Sequence, residues 1–298
     1  MTALTQSYYC GVSDTQIIYD TIGRYLGRVC EQYPDDEALV VRHQGIRWTW
    51  AQFQREIDRL ATGLLALGIA PGDRVGIWGP NSYEWVLVQY ATAKIGAIMV
   101  CINPAYRLYE LEYALNKVEC RAIVAAERFK TSEYLHMLQQ LAPELAGCEP
   151  GKLQAARLPC LETVIRMGAE ATPGMFNFAA VCGMGTSVES ERLQSLGEEL
   201  RPDDPINIQF TSGTTGSPKG ATLSHCNILN NGYLCGVCMG FTHRDRLCIP
   251  VPLYHCFGMV MGNLACLTHG ATAVYPDASF DPLTTLQAVQ EERCTALH

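Results

Sequence analysis

Apolar and polar positions alternate in blocks along most of this chain. Residues 38–41 and 46–48 are short apolar-rich runs on either side of His43-Gln44-Gly45, which predicts a β-hairpin. Thr49 with Gln52 three residues on is a capping-box start. Phe53, Ile57, Leu60, Leu64 and Leu67 then recur at helical spacing until Gly68 stops the run. Pro71-Gly72-Asp73 reads as a turn, 75–78 as a buried strand, 83–94 as a helix and 97–102 as an apolar strand. A helix carrying Leu108, Leu111 and Leu115 and a strand at 122–125 follow. This rhythm predicts an α/β fold of parallel sheets flanked by helices.

The pattern weakens between 143 and 204, where five prolines, several glycines and charged runs interrupt it. That stretch predicts an irregular surface connection with one or two helices. Alternation resumes with a strand at 206–210, a helix over 225–240, strands at 247–251 and 271–275, and a helix over 282–293. Residues 295–298 start like a further buried strand that no turn or cap closes. The expectation is a single incomplete domain in three parts, 17–142, 143–204 and 205–298, with further chain to come.

Composition narrows the function classes. The 298 residues are 48% apolar, enough for a sizeable core. Net charge is −8 with no basic block, which argues against nucleic acid as a partner. The longest apolar run, residues 95–102, is far short of the roughly 20 residues a membrane span needs. The first residues have neither a basic start nor a long apolar stretch, so no leader is expected. Fourteen cysteines are scattered from Cys10 to Cys294 and read as free thiols. Cys235 and Cys238 form a CxxC without a second pair, inside a helical run, so no metal ligands are assigned. With no Asn-x-Ser/Thr sequon and arginine favoured over lysine, a bacterial cytoplasmic protein is expected, with the mitochondrial matrix as the alternative. Nothing in the sequence marks an oligomeric state.

The chemistry concentrates in Phe210–Gly220, FTSGTTGSPKG. Gly213, Gly216 and Gly220 let backbone approach an anion closely, and successive N–H groups can form an anion-binding nest. Thr211, Ser212, Thr214, Thr215 and Ser217 add hydroxyl donors, and Lys219 adds a positive charge. Strand, loop and helix in succession suit phosphate. The loop is not a Walker A motif, because Pro218 precedes the lysine and Gly220 follows it.

FTSGTTGSPKG resembles the phosphate-binding signature of the adenylate-forming enzymes. RVGIWGPNSYEW, AKIGAIMVCINPAYRLYELEYAL and PLYHCFGMV extend the resemblance to the acyl-CoA synthetases within that family, over nearly the whole chain. The resemblance implies ATP, Mg²⁺ and CoA as reactants and cofactors, and a fatty acid, medium-chain rather than long, as the partner substrate. It places Thr211, Ser212, Gly213, Thr214, Thr215, Gly216, Ser217, Pro218 and Lys219 on ATP, with Lys219 catalytic. It puts His255, Phe257, Gly258 and Met259 at the acyl pocket. It gives Asn103, Pro104 and Arg107 only a structural turn. It also implies a later acidic motif and a C-terminal domain, and this chain shows no such motif after Lys219. The alternatives are an adenylating enzyme for an aryl or amino acid, or a non-catalytic nucleotide-binding module. PLYHCFGMV lacks the acid that an amino substrate would call for.

Overall fold

The structure, a computed structural model, describes residues 14–168, 170–211 and 218–298. Two sheets are each assembled from distant parts of the chain. The first has five strands: β1 (Glu37–Val41), β2 (Ile46–Thr49), β10 (Arg246–Cys248), β11 (Thr272–Tyr275) and β12 (Ala296–Leu297), in the order β12-β10-β11-β1-β2. Only the β1–β2 hairpin in it is antiparallel. The second has seven: β3 (Arg74–Trp78), β4 (Ile98–Cys101), β5 (Ala122–Ala125), β6 (Thr163–Arg166), β7 (Phe176–Asn177), β8 (Pro205–Thr211) and β9 (Lys219–Ser224), in the order β7-β6-β5-β3-β4-β8-β9. It is parallel except at β8–β9. The architecture is the expected one of parallel sheets flanked by helices.

The helices are α1 (Ile22–Gln32), α2 (Trp50–Ala66), α3 (Tyr83–Ile95), α4 (Leu108–Lys117), α5 (Tyr134–Leu141), α6 (Phe178–Val181), α7 (Ser187–Glu199), α8 (His225–Met239), α9 (Ala265–His269) and α10 (Pro282–Glu291). Thr49 and Gln52 close the capping box of α2 as its sequence predicts. Helix α3 is apolar on nearly every side and buries Trp85, Val86, Leu87, Val88, Tyr90 and Ala91. An all-round apolar helix belongs in an interior, and α3 lies where the two sheet systems meet. Immediately before α9, residues Phe257–Leu264 form a π-helix. Such wide turns are rare and gather at functional sites.

Two expectations change. Residues 163–166 and 176–177, inside the stretch expected as an irregular connection, add β6 and β7 to the seven-stranded sheet. All of Thr163–Arg166 is buried, yet a four-residue strand among prolines and glycines is too short to show a period. The second change concerns the loop. It does not run from a strand into a helix: β9 intervenes and pairs antiparallel with β8, Thr211 opposite Lys219 and Phe210 opposite Gly220. The following helix begins only at His225, capped by Ser224. Small and polar residues in β9 hid it, since its exposed edge needs no apolar alternation.

The thirteen cysteines among the described residues are all free, with Cys30, Cys101, Cys120, Cys248 and Cys266 buried. Among the described residues no helix is long and apolar enough to cross a membrane.

Backbone proximity between α2 and α6 gives a test of this packing. A Cβ at Gly63 would lie 1.9 Å from the carbonyl oxygen of Val181, so the two helices would have to part. Gly63→Ala should destabilise the protein by about 1–3 kcal/mol. Gly27 on α1 has nothing within 4 Å of the same position. Gly27→Ala should instead stabilise by about 0.5–1 kcal/mol through helix propensity. Denaturant unfolding of both variants checks the pair, and equal effects would contradict this packing.

Candidate active site

Parallel strands bring their carboxyl ends to one edge, and ligands of open α/β sheets collect there. Here both sheets do so side by side. A cleft of about 430 Å³ opens between them. Its walls come from the chain just beyond β3 (Gly79, Pro80, Asn81), β4 (Asn103, Pro104), β10 (Pro250, Pro252, Tyr254) and β11 (Ala278, Phe280). Phe129 and Ser132 close one side and Arg107 and Lys130 stand in it, while no acidic side chain lines it among the described residues. An apolar slot with two cations suits an anion that carries an apolar part.

Asn81 holds the cleft together. It is 3% exposed, and its amide donates to the Val251 carbonyl at 2.9 Å while its side-chain oxygen accepts from Leu253 N–H at 2.9 Å. Its own N–H donates to the Ala278 carbonyl at 3.1 Å. A single residue three positions past β3 therefore fixes segments beyond β10 and β11. Asn103, expected as a plain turn residue, shapes the opposite wall: its side chain accepts from Ala105 N–H at 2.9 Å, and its carbonyl accepts from the Trp78 indole at 3.2 Å. Arg107 reaches Thr131 Oγ1 at 3.3 Å. The sequence signal was present in the prolines and asparagines closely following apolar strands, but it reads equally as turn chemistry.

Lys219 is exposed at the start of β9. Since Cys101 pairs with Gln209, the chain leaving β4 toward Asn103 and the chain leaving β8 at Thr211 emerge side by side. The loop thus springs from the edge that carries the cleft. Ser212, Gly213, Thr214, Thr215, Gly216 and Ser217 lie outside the described residues.

The four acyl-pocket candidates sit around the start of the π-helix, and none of them lines the cleft described above. His255 is exposed, and its Nδ1 accepts from Phe257 N–H at 3.1 Å, so the ring caps that start. Phe257 is 37% exposed and stands 4.8 Å from the His298 ring. Gly258 is buried tightly: a Cβ there would fall 2.6 Å from the Pro252 carbonyl oxygen. Met259 is fully buried, with its sulfur 3.0 Å from the Gln209 amide nitrogen and 3.6 Å from the Cys101 sulfur. Only their neighbour Tyr254 reaches the cleft. Gln209 nevertheless ties Met259 to β8, two residues before Thr211.

No three His, Cys, Asp or Glu side chains converge on a possible metal position among the described residues. Mg²⁺ is commonly held by one or two carboxylates together with substrate phosphates rather than by a full set of protein ligands.

The AMP-binding enzyme family matches residues 26–298. This chain belongs to that family. It is 48% identical over 297 residues to a mitochondrial medium-chain acyl-CoA ligase, ACSF2, of Danio rerio, covering 99% of this chain and 49% of the relative. The Homo sapiens protein of the same name is 44% identical over 296 residues, covering 98% of this chain and 48% of its own length. A Bacillus subtilis (strain 168) protein, YngI, provisionally named an acyl-CoA synthetase, is 42% identical over 283 residues, covering 95% and 51%. The chain spans about half the length of the curated relatives it matches. Among solved structures, an anthranilate CoA ligase, AuaEII, in complex with anthranoyl-AMP superposes with a TM-score of 0.78 at 23% identity over 94% of this chain and 49% of that one. A long-chain-fatty-acid-CoA ligase, FadD1, of Archaeoglobus fulgidus gives 0.75 at 22% identity over 98% and 54%. These likenesses bear on the fold, and the α/β architecture agrees with them.

Asn81 provides the test of the cleft. Asn81→Ala would take this partner from the part-buried Val251 carbonyl and the buried Leu253 N–H. Unsatisfied groups of this kind cost about 1–3 kcal/mol each. Unfolding free energy should fall by roughly 2–4 kcal/mol, and a denaturant midpoint matching wild type would refute the role given to this side chain.

Proposed function

We propose that the protein carrying this chain activates a fatty acid with ATP and transfers the acyl group to CoA. The observation that carries the reading is the loop bearing Lys219, set at the same sheet edge as an apolar cleft that holds two cations and no acid. In the first step a carboxylate oxygen attacks the α-phosphorus of ATP. The bond from that phosphorus to the β-phosphate oxygen breaks, and pyrophosphate leaves with the electron pair. Charge grows on the leaving group, where Lys219 and donors of the 211–217 segment stabilise it. In the second step the CoA thiol attacks the acyl carbonyl. The C–O bond to AMP breaks, and the thiol proton passes to solvent.

A straight medium-length chain is the proposed acyl group. Relatives 44–48% identical bear the name medium-chain acyl-CoA ligase. Each CH₂ buried is worth about 0.8 kcal/mol, so an apolar seat of fixed length favours chains up to that length. His255, Phe257, Gly258 and Met259 are proposed to form this seat, opened by movement of the Met259 thioether away from Gln209. PLYHCFGMV carries no acid to pair with an amino group, which favours an uncharged acyl chain. Location in a bacterial cytoplasm or a mitochondrial matrix both accord with the relatives.

Fatty-acid-dependent exchange between ATP and labelled pyrophosphate tests the reading in the complete protein. Exchange should rise with chain length and then stop rising. Lys219→Ala should slow it by about 10²- to 10³-fold with little change in thermal stability, because the side chain is exposed. Equal exchange with benzoate or an amino acid, or a Lys219→Ala variant of near-normal rate, would overturn the proposal.

A further inference from the structure

Lys219 begins an edge strand, and a long side chain on a sheet edge would ordinarily have a loosely placed backbone. Here both peptide planes flanking its Cα are held. Pro218 has no N–H to give, and its carbonyl accepts a hydrogen bond from the Tyr113 hydroxyl of α4 at 3.2 Å. The Lys219 carbonyl accepts from Thr211 Oγ1 on β8 at 3.4 Å. One restraint comes from a helix and the other from the neighbouring strand, so slip and rotation of the Lys219 backbone are both opposed.

The helix that supplies Tyr113 is itself anchored. Leu111, Ala114 and Leu115 are buried, Glu112 pairs with Arg157 Nε at 3.0 Å, and Asn116 donates to the Arg157 carbonyl at 2.9 Å. The hairpin base is equally tight. Tyr106 meets Phe210 edge-on with ring centres 6.5 Å apart, and a Cβ at Gly220 would lie 3.1 Å from Ile208 Cγ2.

We propose that Tyr113 is a positioning residue that fixes the Lys219 backbone by holding the Pro218 carbonyl, and so aims the ammonium group at the leaving phosphates. This rests on the reaction proposed above. A neutral hydrogen bond of this kind is modest in net effect, so Tyr113→Phe should lower kcat of pyrophosphate exchange by roughly 3- to 10-fold. KM for the fatty acid should not move.

The test uses the complete protein with four variants: Tyr113→Phe, Lys219→Ala, the double variant, and Tyr109→Phe. Tyr109, one turn earlier on α4, is 73% exposed and serves as the control. Tyr113→Phe should add no loss on the Lys219→Ala background, because the two act as one unit. Hydrogen exchange of the peptide spanning 218–222 should quicken in Tyr113→Phe, with other segments and the Tyr109→Phe variant unchanged. Wild-type exchange at 218–222 in Tyr113→Phe, or a full additional loss in the double variant, would overturn the assignment. If wild type shows no fatty-acid-dependent pyrophosphate exchange, the proposed reaction fails while the hydrogen-exchange result still decides for or against the Tyr113 restraint.

Discussion

The arrangement depends on a buried set of hydrogen bonds between α3 and the π-helix. Gln89 Nε2 donates to the Met259 carbonyl at 3.0 Å, and Asn263 Nδ2 donates to Gln89 Oε1 at 2.7 Å. The Tyr90 hydroxyl donates to the Asn263 carbonyl at 3.1 Å, and the Tyr275 hydroxyl donates to Asn263 Oδ1. All of these groups are away from water, where an unmade hydrogen bond is costly, so the set admits one relative placement of its elements. It joins α3, which packs on the seven-stranded sheet, to the π-helix and to β11 of the five-stranded sheet. Burial also pushes the Tyr90 and Tyr275 hydroxyls well above their ordinary pKa, keeping both neutral donors. With that join fixed, the carboxyl ends of both sheets have to face one another, and the cleft is what remains between them.

The antiparallel β8–β9 pair gives the loop a different physics from a strand-to-helix phosphate loop. A helix N-terminus attracts anions through its free N–H groups and dipole. Here the first turn of α8 lies a whole strand away from Lys219, with Ser224 satisfying its cap. On the proposed reaction, the charge offered to phosphate comes from Lys219 itself, with the hairpin ladder as its support. That division explains why a proline is tolerable at position 218: an edge residue leading into the hairpin has no ladder bond to lose, and only its carbonyl needs a partner.

Much of this was legible in the sequence. The capping box at Thr49 and Gln52, the hairpin before it, and the strand at 122–125 follow local rules that packing did not override. Short apolar runs bounded by turns predicted the parallel sheets. What stayed hidden was non-local. No pattern says that 37–49 shares a sheet with 246–297. Asn81, Gln89 and Asn263 look like ordinary surface amides until the fold buries them. Strand β9 escaped because an edge strand carries polar residues, and β6 because four residues cannot display a period. The loop's glycines and lysine were visible at once, whereas Tyr113 had no signal beyond helical spacing.

On the proposed reaction, one site spans the loop, the cleft and the start of the π-helix. Hydrogen exchange of the complete protein, with and without a non-hydrolysable decanoyl-sulfamoyl adenosine, tests it most directly. This analogue carries an acyl chain, an uncleavable link and adenosine in one molecule. Slowed exchange should appear together at 211–220, at 103–107 and at 250–259, with the outer face of α7 unchanged. Binding that leaves these three segments at their free rates, or that slows exchange mainly over 187–199, would contradict the account.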